Sequence, residues 1–237
     1  MFECDDGGGP HIDQRWPART LVANLEVDAR KALLAAGARR QFGPGDRLLR
    51  EGEVSRHAYV ILEGIVKVTV DSPDGRTALL AVRVAGDVVG EIACMSGESR
   101  NATVTAAGPV LVLVIGHLEL TRLVEMQPEI GRLLIVAVGA KLNWSNQRRL
   151  DSGAASVSIR VARVLADLAE HYGRAERDSV KLGFGLTQPE LAALIGVSEP
   201  AVHRALTGLR HSQVLSTAYR SITIHDLTEL RRLAGSS

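Results

Sequence analysis

The segment from Gly86 to Val104 constrains this chain more than any other, because it sets two charges among small and apolar residues. It reads GDVVGEIACMSGESRNATV, with the carboxylate of Glu91 nine positions before the guanidinium of Arg100. Charges in apolar surroundings are costly unless something pairs with them. Backbone N–H groups at glycines and one arginine suit a phosphate, and a carboxylate suits a sugar hydroxyl. The segment predicts an anion-binding turn, the alternative being an ordinary glycine-rich turn with a surface Arg–Glu pair.

The region after Gln41 alternates short β-branched runs with turn residues, as in AYVILEG, IVKVTVD, ALLAVRV and VLVLVIG. This pattern is typical of antiparallel strands in a jelly roll or barrel. The tetrapeptide SPDG at 72–75 predicts a hairpin between two of the strands. Helical spacing over Leu21–Ala38 predicts short helices before the strands. Residues 1–19, which are rich in Gly and Asp, predict a flexible tail.

A long helix is predicted from about Pro128 to about Leu150, with proline in its first turn. Its apolar positions cover more than one face, so one face can pack on the strands while another takes a second partner. A three- and four-residue spacing that suits a parallel coiled coil is formed by Ile130, Leu134, Ala137, Lys141 and Trp144. The sequence therefore predicts a dimer helix, the alternative being an ordinary buried helix.

The C-terminal part of the chain carries the signals of a helix-turn-helix. Small residues at 152–156 predict a domain boundary, and Thr187 with Glu190 fits a capping box. The first helix should end at Gly196, and Ser198 should cap the second, which has Pro200 in its first turn. Short strands within residues 214–224 predict a wing, as in a winged helix. A generic helical hairpin is the alternative.

The composition excludes several classes of protein. The charges nearly balance, with 28 Lys and Arg against 27 Asp and Glu, so nucleic-acid binding would need a local patch. Cys4 and Cys94 are the two cysteines, too few for a disulfide framework or a four-cysteine cluster. No apolar run approaches the ~20 residues that span a bilayer, and the N-terminus lacks the features of a signal peptide. A cytoplasmic protein is expected.

The motifs resemble those of a known family. The run Gly-Glu-Ile-Ala, the nine-residue step from Glu91 to Arg100 and the following Ala-Thr-Val resemble the phosphate-binding cassette of cyclic-nucleotide-binding domains, and GDRLLREGEVSRHAYVILEGIVKV resembles the strands before it. TQPELAALIGVSEPAVHRAL resembles the DNA-reading segment of the Crp/Fnr family of bacterial transcription regulators. That resemblance covers residues 20–230. It implies an α+β fold with a tail (1–19), a cyclic-nucleotide-binding β-roll (20–127), a dimerisation helix (128–152) and a winged helix-turn-helix (153–237).

The resemblance also implies a ligand site. Arg100 would pair with the cyclic phosphate, and Glu91 would accept a hydrogen bond from the ribose 2′-hydroxyl. Ser145 and Asn146 match a pair on the dimer helix that contacts the base. Asn101 departs from the Ser, Thr or Ala that usually follows the arginine, which leaves the base preference open. The implied ligand-binding residues are Gly90, Glu91, Ile92, Ala93, Arg100, Asn101, Ala102, Lys141, Ser145 and Asn146.

The implied recognition helix begins at Glu199 and lies in the major groove of DNA. Arg204 keeps a base-contacting position and suits guanine, whose O6 and N7 accept a bidentate pair. Glu199-Pro200 departs from the family's Arg-Glu, so the preferred base at that position should differ. The implied DNA-binding residues are Thr187 and Gln188 on phosphates, with Ser198, Glu199, Pro200, Ala201, His203 and Arg204 in or beside the recognition helix.

The function implied by the resemblance is that of a ligand-responsive, sequence-specific regulator, controlled by cyclic AMP or cyclic GMP and acting as a homodimer on a palindromic site. Its partners would be double-stranded DNA and RNA polymerase, with no metal, haem or iron–sulfur cluster. One alternative is the same scaffold acting without a cyclic nucleotide. A redox sensor is disfavoured by the two cysteines, and an enzyme by the lack of a nucleophile–base pair or metal-ligand spacing.

Overall fold

A computed structural model describes residues 16–71, 77–182, 186–218 and 221–235, apart from the side chains of 144–154 and 171. After a short 3-10 helix, Val22–Asn24, the first part contains α1 (Val27–Ala35), β1 (Ala38–Phe42), β2 (Arg47–Leu49), β3 (His57–Glu63), β4 (Ile65–Asp71), β5 (Thr77–Val84), β6 (Val88–Val89), α2 (Glu91–Ser96), β7 (Thr103–Ala106) and β8 (Val110–Gly116). The second part contains α3 (His117–Met126), α4 (Pro128–Ala154), α5 (Val157–Tyr172), β9 (Arg174–Glu176), β10 (Ser179–Leu182), α6 (Gln188–Ile195), α7 (Glu199–His211), β11 (Leu215–Ala218), β12 (Ser221–Ile224) and α8 (Leu227–Leu233).

The first part of the chain folds into a β-roll of two four-stranded antiparallel sheets. Their strand orders are β1-β8-β3-β6 and β2-β7-β4-β5. Strand β3 is buried along almost its whole length because it lies between two neighbours and faces helices as well as the opposite sheet. Strands β4 and β5 pair antiparallel up to Asp71 and Thr77, while the turn predicted at 72–75 lies outside the described residues. The α+β fold class predicted from the sequence is confirmed.

The flexible tail was predicted too long, because residues 16–19 belong to the fold. The indole of Trp16 is 9% exposed and packs in the core beneath the roll. A Cβ atom at Gly86 would lie 2.3 Å from Thr20 Oγ1 and 3.2 Å from the Trp16 ring, so the glycine allows this close approach. A large aromatic side chain gains much by burial, and this anchors the segment where local composition predicts none.

The seam predicted on the long helix α4 is wrong in its first two positions. Ile130 and Leu134 are buried within the chain, in the same core as α3 and the roll. The exposed apolar side chains of α4 are instead Ile135, Val136 and Leu142, which are 75%, 56% and 60% exposed. Spacing identified the apolar positions, but the packing of the roll decided which of them face solvent.

Helix α4 is longer than predicted, since it continues to Ala154 instead of ending near Leu150. Small residues at 152–154 are compatible with a helix, and glycine inside one costs only about 1 kcal/mol. The next helix, α5, begins after Ser156, whose side chain accepts a hydrogen bond from the N–H of Ile159. The break between the helices is therefore limited to residues 155 and 156.

The C-terminal part packs helices α5 to α8 against a four-stranded antiparallel sheet of order β11-β12-β10-β9. The wing predicted in residues 214–224 is present as β11 and β12, and strands β9 and β10 extend it. Strand β9 is exposed on all its residues, so it lacks the apolar alternation that would have indicated it. No helix in the described part of the chain is long and apolar enough to cross a membrane.

Candidate functional site

The segment singled out in the sequence forms a tight turn into the short helix α2. Gly90 adopts a left-handed backbone, with φ of 79°, immediately before Glu91 at the first helical position. A Cβ atom at Gly90 would lie 2.7 Å from both Arg100 Nη1 and Leu49 Cδ1. Glycine is therefore required here for two reasons, the backbone conformation and the close approach of the arginine. The turn brings the carboxylate and the guanidinium into one small region.

Arg100 is buried without a carboxylate partner. Its side chain is 3% exposed, and its guanidinium donates to Ser55 Oγ at 2.9 Å, to the Gly90 carbonyl at 2.6 Å and to the His57 carbonyl. These acceptors are neutral, and no ion pair to Arg100 occurs among the described residues. Burial lowers the pKa of Arg100, as expected for a cation removed from water. The arrangement holds the guanidinium in place but leaves its charge uncompensated.

Glu91 is paired across the fold. Its side chain is 7% exposed, and Oε1 accepts a hydrogen bond from Lys141 Nζ at 2.8 Å. Lys141 lies on α4 and also donates to the Val88 carbonyl at 3.1 Å. The other carboxylate oxygen, Oε2, has no hydrogen-bond partner in the part of the chain that the structure describes. This ion pair ties the long helix to the turn and leaves one acceptor of Glu91 available.

These groups surround a cavity of about 210 Å³. Seven of the ten ligand-binding residues predicted from the sequence line it: Gly90, Glu91, Ile92, Arg100, Asn101, Ala102 and Lys141. Ala93 is buried behind the cavity wall, within α2. The side chains of Ser145 and Asn146 lie outside those the structure describes. The structure thus brings together the groups near the turn and on the adjacent part of α4.

The sequence did not identify the wall that β5 contributes. Leu80, Ala81 and Arg83 line the cavity beside Val68 of β4 and Val89 of β6. Arg83 stands in the middle of an apolar run, ALLAVRV, and a charge inside such a run is the signal that could have indicated it. Its Nη1 donates to the Val82 carbonyl at 2.8 Å and to the Tyr172 hydroxyl at 3.0 Å. The cavity therefore has a second guanidinium.

His57 and Tyr59 support the arginine from β3. The imidazole Nε2 of His57 lies 3.0 Å from the Tyr59 hydroxyl, and their rings meet edge to face. Burial lowers the pKa of His57, and the charges of Arg100 and Arg40 lower it further, so the imidazole stays neutral at neutral pH.

No group of three or more His, Cys, Asp or Glu side chains capable of holding a metal occurs in the described ranges.

The helix-turn-helix is built from the local signals that predicted it. Thr187 caps α6, its hydroxyl accepting from the Glu190 N–H, while the Glu190 carboxylate accepts from the Thr187 N–H at 2.9 Å. Gly196 ends this helix with a left-handed φ of 71°. Helix α7 begins at Glu199, as predicted, although the Ser198 side chain makes no capping hydrogen bond.

The predicted DNA-contacting side chains lie on the outer face of α7 and at the start of α6. Glu199, Pro200, His203 and Arg204 are exposed and Ala201 is half-buried, while Val202, Ala205 and Leu206 face the core. His203 Nδ1 lies 3.3 Å from Gln188 Oε1, which joins the two helices at the surface. Thr187 and Gln188 are half-buried, and Ser198 is exposed. The arrangement presents a row of polar side chains from one helix.

Comparisons with known proteins give a consistent result. Residues 39–127 match the model of the cyclic nucleotide-binding domain, and residues 159–233 match that of the Crp-like helix-turn-helix domain. A "CRP-like cAMP-activated global transcriptional regulator" of Mycobacterium tuberculosis is 30% identical over 193 residues, covering 81% of this chain and 86% of that protein. The structure of FixK2 from Bradyrhizobium japonicum has a TM-score of 0.72 at 20% identity, covering 84% of this chain and 97% of that one. A CRP/FNR-family transcriptional regulator from Thermus thermophilus has a TM-score of 0.68 at 25% identity, covering 84% and 99%.

Proposed function

This chain belongs to the Crp/Fnr family of transcription regulators, and on that premise we propose that a cyclic nucleotide bound between Arg100 and Glu91 controls its binding to DNA. The relatives are regulators and not enzymes, and the Crp-like helix-turn-helix binds DNA. The observation that carries the proposal is the buried guanidinium of Arg100, which has only neutral acceptors.

A buried cation without an anionic partner lowers the stability of the folded protein. Leaving a charged group unpaired inside a protein typically costs a few kcal/mol. An anionic ligand in the cavity would remove that cost, because a guanidinium binds phosphate oxygens with charge-assisted, often bidentate hydrogen bonds. Asn101 lines the same cavity and can donate its amide to a phosphate oxygen. The site therefore favours a single phosphate group near Arg100.

Glu91 is suited to the sugar of the nucleotide. Lys141 occupies Oε1, so Oε2 can accept the hydrogen bond of a ribose 2′-hydroxyl. The base would then extend towards α4. Ser145 lies four positions after Lys141, one helical turn further along, so its position suits a contact to the base, with Asn146 beside it. We propose both as base contacts, and cyclic AMP as the first effector to test because one relative is named as activated by it.

We further propose that two copies pair through α4, and that RNA polymerase is a partner of the DNA-bound dimer. The exposed apolar side chains Ile135, Val136 and Leu142 provide the face for a second copy. Two recognition helices about one turn of DNA apart, ~34 Å, would then read a palindromic site. In this proposal residues 16–127 bind the nucleotide, 128–154 form the dimer helix and 157–235 bind DNA. The effector would involve no metal, haem or iron–sulfur cluster.

One observation favours a second candidate, the same scaffold acting without a cyclic nucleotide. The charged groups of Glu91 and Arg100 already have protein partners, since Lys141 pairs with Glu91 and Arg100 donates to protein acceptors. With these contacts in place, the site could keep its structure without a ligand. In the first candidate a ligand phosphate binds Arg100 more strongly than its neutral acceptors do, and in the second no such ligand binds. Titration with cyclic nucleotides separates the two candidates.

Isothermal titration of the purified protein with cyclic AMP and with cyclic GMP tests the proposal. Binding should fall at least about tenfold to hundredfold in Arg100→Leu and in Glu91→Ala, because each loses a charge-assisted hydrogen bond. Arg39→Leu, which removes an exposed arginine from β1, is the matched control and should bind like the wild type. A wild type that binds neither nucleotide would support the ligand-independent candidate. Unchanged binding in both variants, with normal melting, would contradict the assigned site.

A further inference from the structure

Arg83 is a cation of the cavity to which the proposed function assigns no role. It is the single charged residue of β5, whose sequence is TALLAVRV. Its side chain lines the cavity together with that of Ala81, two positions earlier, as expected for residues on one face of a strand. Val82, between them, is 1% exposed and packs in the core of the C-terminal helices. A charge on the cavity face of an otherwise apolar strand therefore needs an explanation.

The guanidinium of Arg83 is charged and held in one orientation. Burial alone would lower its pKa, but the Tyr172 hydroxyl and the carboxylates of Asp87 and Glu91 raise it above the ordinary value of an arginine. Nη1 donates to the Val82 carbonyl at 2.8 Å and to the Tyr172 hydroxyl at 3.0 Å. Neither of these hydrogen bonds uses the N–H groups of Nε and Nη2. One edge of the guanidinium thus fixes the side chain, and the bonds that fix it leave the other edge unused.

The position of Arg83 corresponds to the base of a nucleotide and not to its phosphate. Arg100, which takes the phosphate in the proposed function, is held by Ser55 and His57. Arg83 lies near Glu91, the residue proposed for the ribose, since the charge of that carboxylate acts on it. With the phosphate and the ribose placed on these two residues, the base is the part of the nucleotide that remains for Arg83.

The size and the apolar lining of the cavity fit one base. Its volume is about 210 Å³, below the range of about 300–1,000 Å³ that is typical of sites for larger ligands, so it suits one nucleotide rather than two. Val68, Leu80 and Ala81 line it beside Arg83. Apolar side chains suit the flat face of a base, and a few polar groups then decide which base is bound.

Guanine and adenine differ at the edge that a guanidinium can bind. Guanine presents two acceptors there, O6 and N7, whereas adenine presents the acceptor N7 beside an amino group that donates. A guanidinium carries donors and no acceptor, so it can bind both guanine atoms at once but only one atom of this adenine edge. Such a bidentate pair distinguishes the two bases by about five- to hundredfold in affinity.

We propose that Arg83 recognises the base of the effector by a bidentate pair to O6 and N7 of guanine, so that the site prefers cyclic GMP to cyclic AMP. This inference rests on the proposed function, because it takes the phosphate at Arg100 and the ribose at Glu91 as its premise. Arg83 determines the specificity, and Tyr172 is a positioning residue that holds it. The preference would distinguish this chain from the relative that is named as activated by cyclic AMP.

Isothermal titration of the full-length wild type with four cyclic nucleotides tests the preference. Cyclic GMP should bind about five- to hundredfold more tightly than cyclic AMP. Cyclic IMP, which keeps O6 and N7 but lacks the 2-amino group, should bind like cyclic GMP. Cyclic 7-deaza-GMP, which lacks the N7 acceptor, should bind more weakly than cyclic GMP. Cyclic AMP that binds as tightly as cyclic GMP, or cyclic IMP that binds like cyclic AMP, would overturn the inference.

Two variants attribute the preference to Arg83. Arg83→Met removes the donors, so cyclic GMP affinity should fall to that of cyclic AMP, which should not change. Arg83→Gln supplies a donor and an acceptor, the combination that suits adenine, and should bind cyclic AMP at least as tightly as cyclic GMP. Lys67→Met is the control, because Lys67 is another cation of the roll that contacts the C-terminal part but does not line the cavity. It should keep the preference of the wild type.

The outcomes separate this inference from the proposed function. Arg100→Leu should weaken both nucleotides alike, because they carry the same phosphate. Equal weakening of both in Arg83→Met would show a general effect of charge and would overturn recognition of the base. Equal binding of both by the wild type, lost in Arg100→Leu, would overturn this inference and leave the proposed function standing. A wild type that binds neither would refute both, and the comparison of four nucleotides decides even where a variant does not fold.

Discussion

The cavity and the recognition helix differ in how their charges are placed. Arg100 in the cavity is 3% exposed and is held by acceptors from two separate segments of the roll, one at Ser55 and His57 and the other at Gly90. Arg204 on the recognition helix is exposed to solvent. An exposed charge needs no partner in the protein, so it can bind DNA without first breaking a contact within the protein. A buried charge must be held at an energetic cost, and it indicates a ligand more strongly than an exposed one does.

The difference also separates stability from function. Around the cavity, backbone conformation, packing and ligand contacts involve the same residues, so substitutions there should change folding and binding together. On the outer face of α7, the side chains that face DNA are distinct from Val202 and Leu206, which face the core. Substitutions on that face should change DNA recognition while the free energy of unfolding stays constant. Each of the following predictions can contradict this distinction or make it quantitative.

The largest effect on stability is expected for glycine-to-alanine substitutions, one in each of the two regions. Gly90→Ala should destabilise the fold by about 2–5 kcal/mol, the sum of a left-handed backbone and of contacts below 3 Å. Gly208 on α7 has an ordinary helical environment with no neighbouring atom near a Cβ position. Gly208→Ala should therefore stabilise by about 0.5–1 kcal/mol. Urea unfolding measures both, and effects of the same sign would refute the distinction.

Ion pairs in the two regions should differ as well. Lys141→Met leaves the Glu91 carboxylate, 7% exposed on its side chain, without its partner, and should cost about 1–3 kcal/mol of stability. Glu229→Gln breaks the pair with Arg232 on the surface of α8, where solvent replaces the partner. That change should be undetectable in the same unfolding assay. A Lys141→Met protein as stable as the wild type would show that the cavity pair is solvated.

The recognition helix should lose specificity without losing stability. Arg204→Ala should relax one symmetric base position of the DNA site by about 1–3 kcal/mol, because the guanine that it reads would lose a bidentate partner. Selection from a random DNA pool with wild type and variant measures the change, and the melting temperature should not move. An unchanged consensus would mean that another element reads this base.

The smallest effect concerns the pH dependence of the Lys67–Glu190 contact, which joins the β-roll to the helix that precedes the recognition helix. Burial alone would raise the pKa of Glu190, but hydrogen bonds from Lys67 and Thr187 lower it below its ordinary value. The stability from this carboxylate is therefore fully present above its unfolded pKa, about 4.3, and is lost as pH falls through the lower folded pKa. The stability difference between wild type and Lys67→Met should be constant from pH 7 to about 5 and shrink below about 4. A difference that grows in acid would contradict the contact.

Short-range features were predictable from the sequence alone. The step from Glu91 to Arg100, the Thr187–Glu190 capping box and the glycine at 196 depend on residues within about ten positions of one another. Their geometry follows from backbone and side-chain chemistry that a local pattern contains. The β-roll, the winged helix-turn-helix and most of the cavity residues could be inferred on that basis, as could the start of α7 at Glu199.

The tertiary structure decided what depends on packing between distant segments. Lys141 meets Glu91 across 50 positions and Lys67 meets Glu190 across 123, and no local pattern specifies such pairs. The sequence contained the apolar positions of α4, but the roll buries Ile130 and Leu134 and leaves Ile135 outside. In the sequence, Arg83 is an ordinary residue of a strand. The tertiary structure places it between the cavity and Tyr172. Local chemistry therefore determined the elements, while burial and long-range contact determined which charges remain without an anion and which faces remain open.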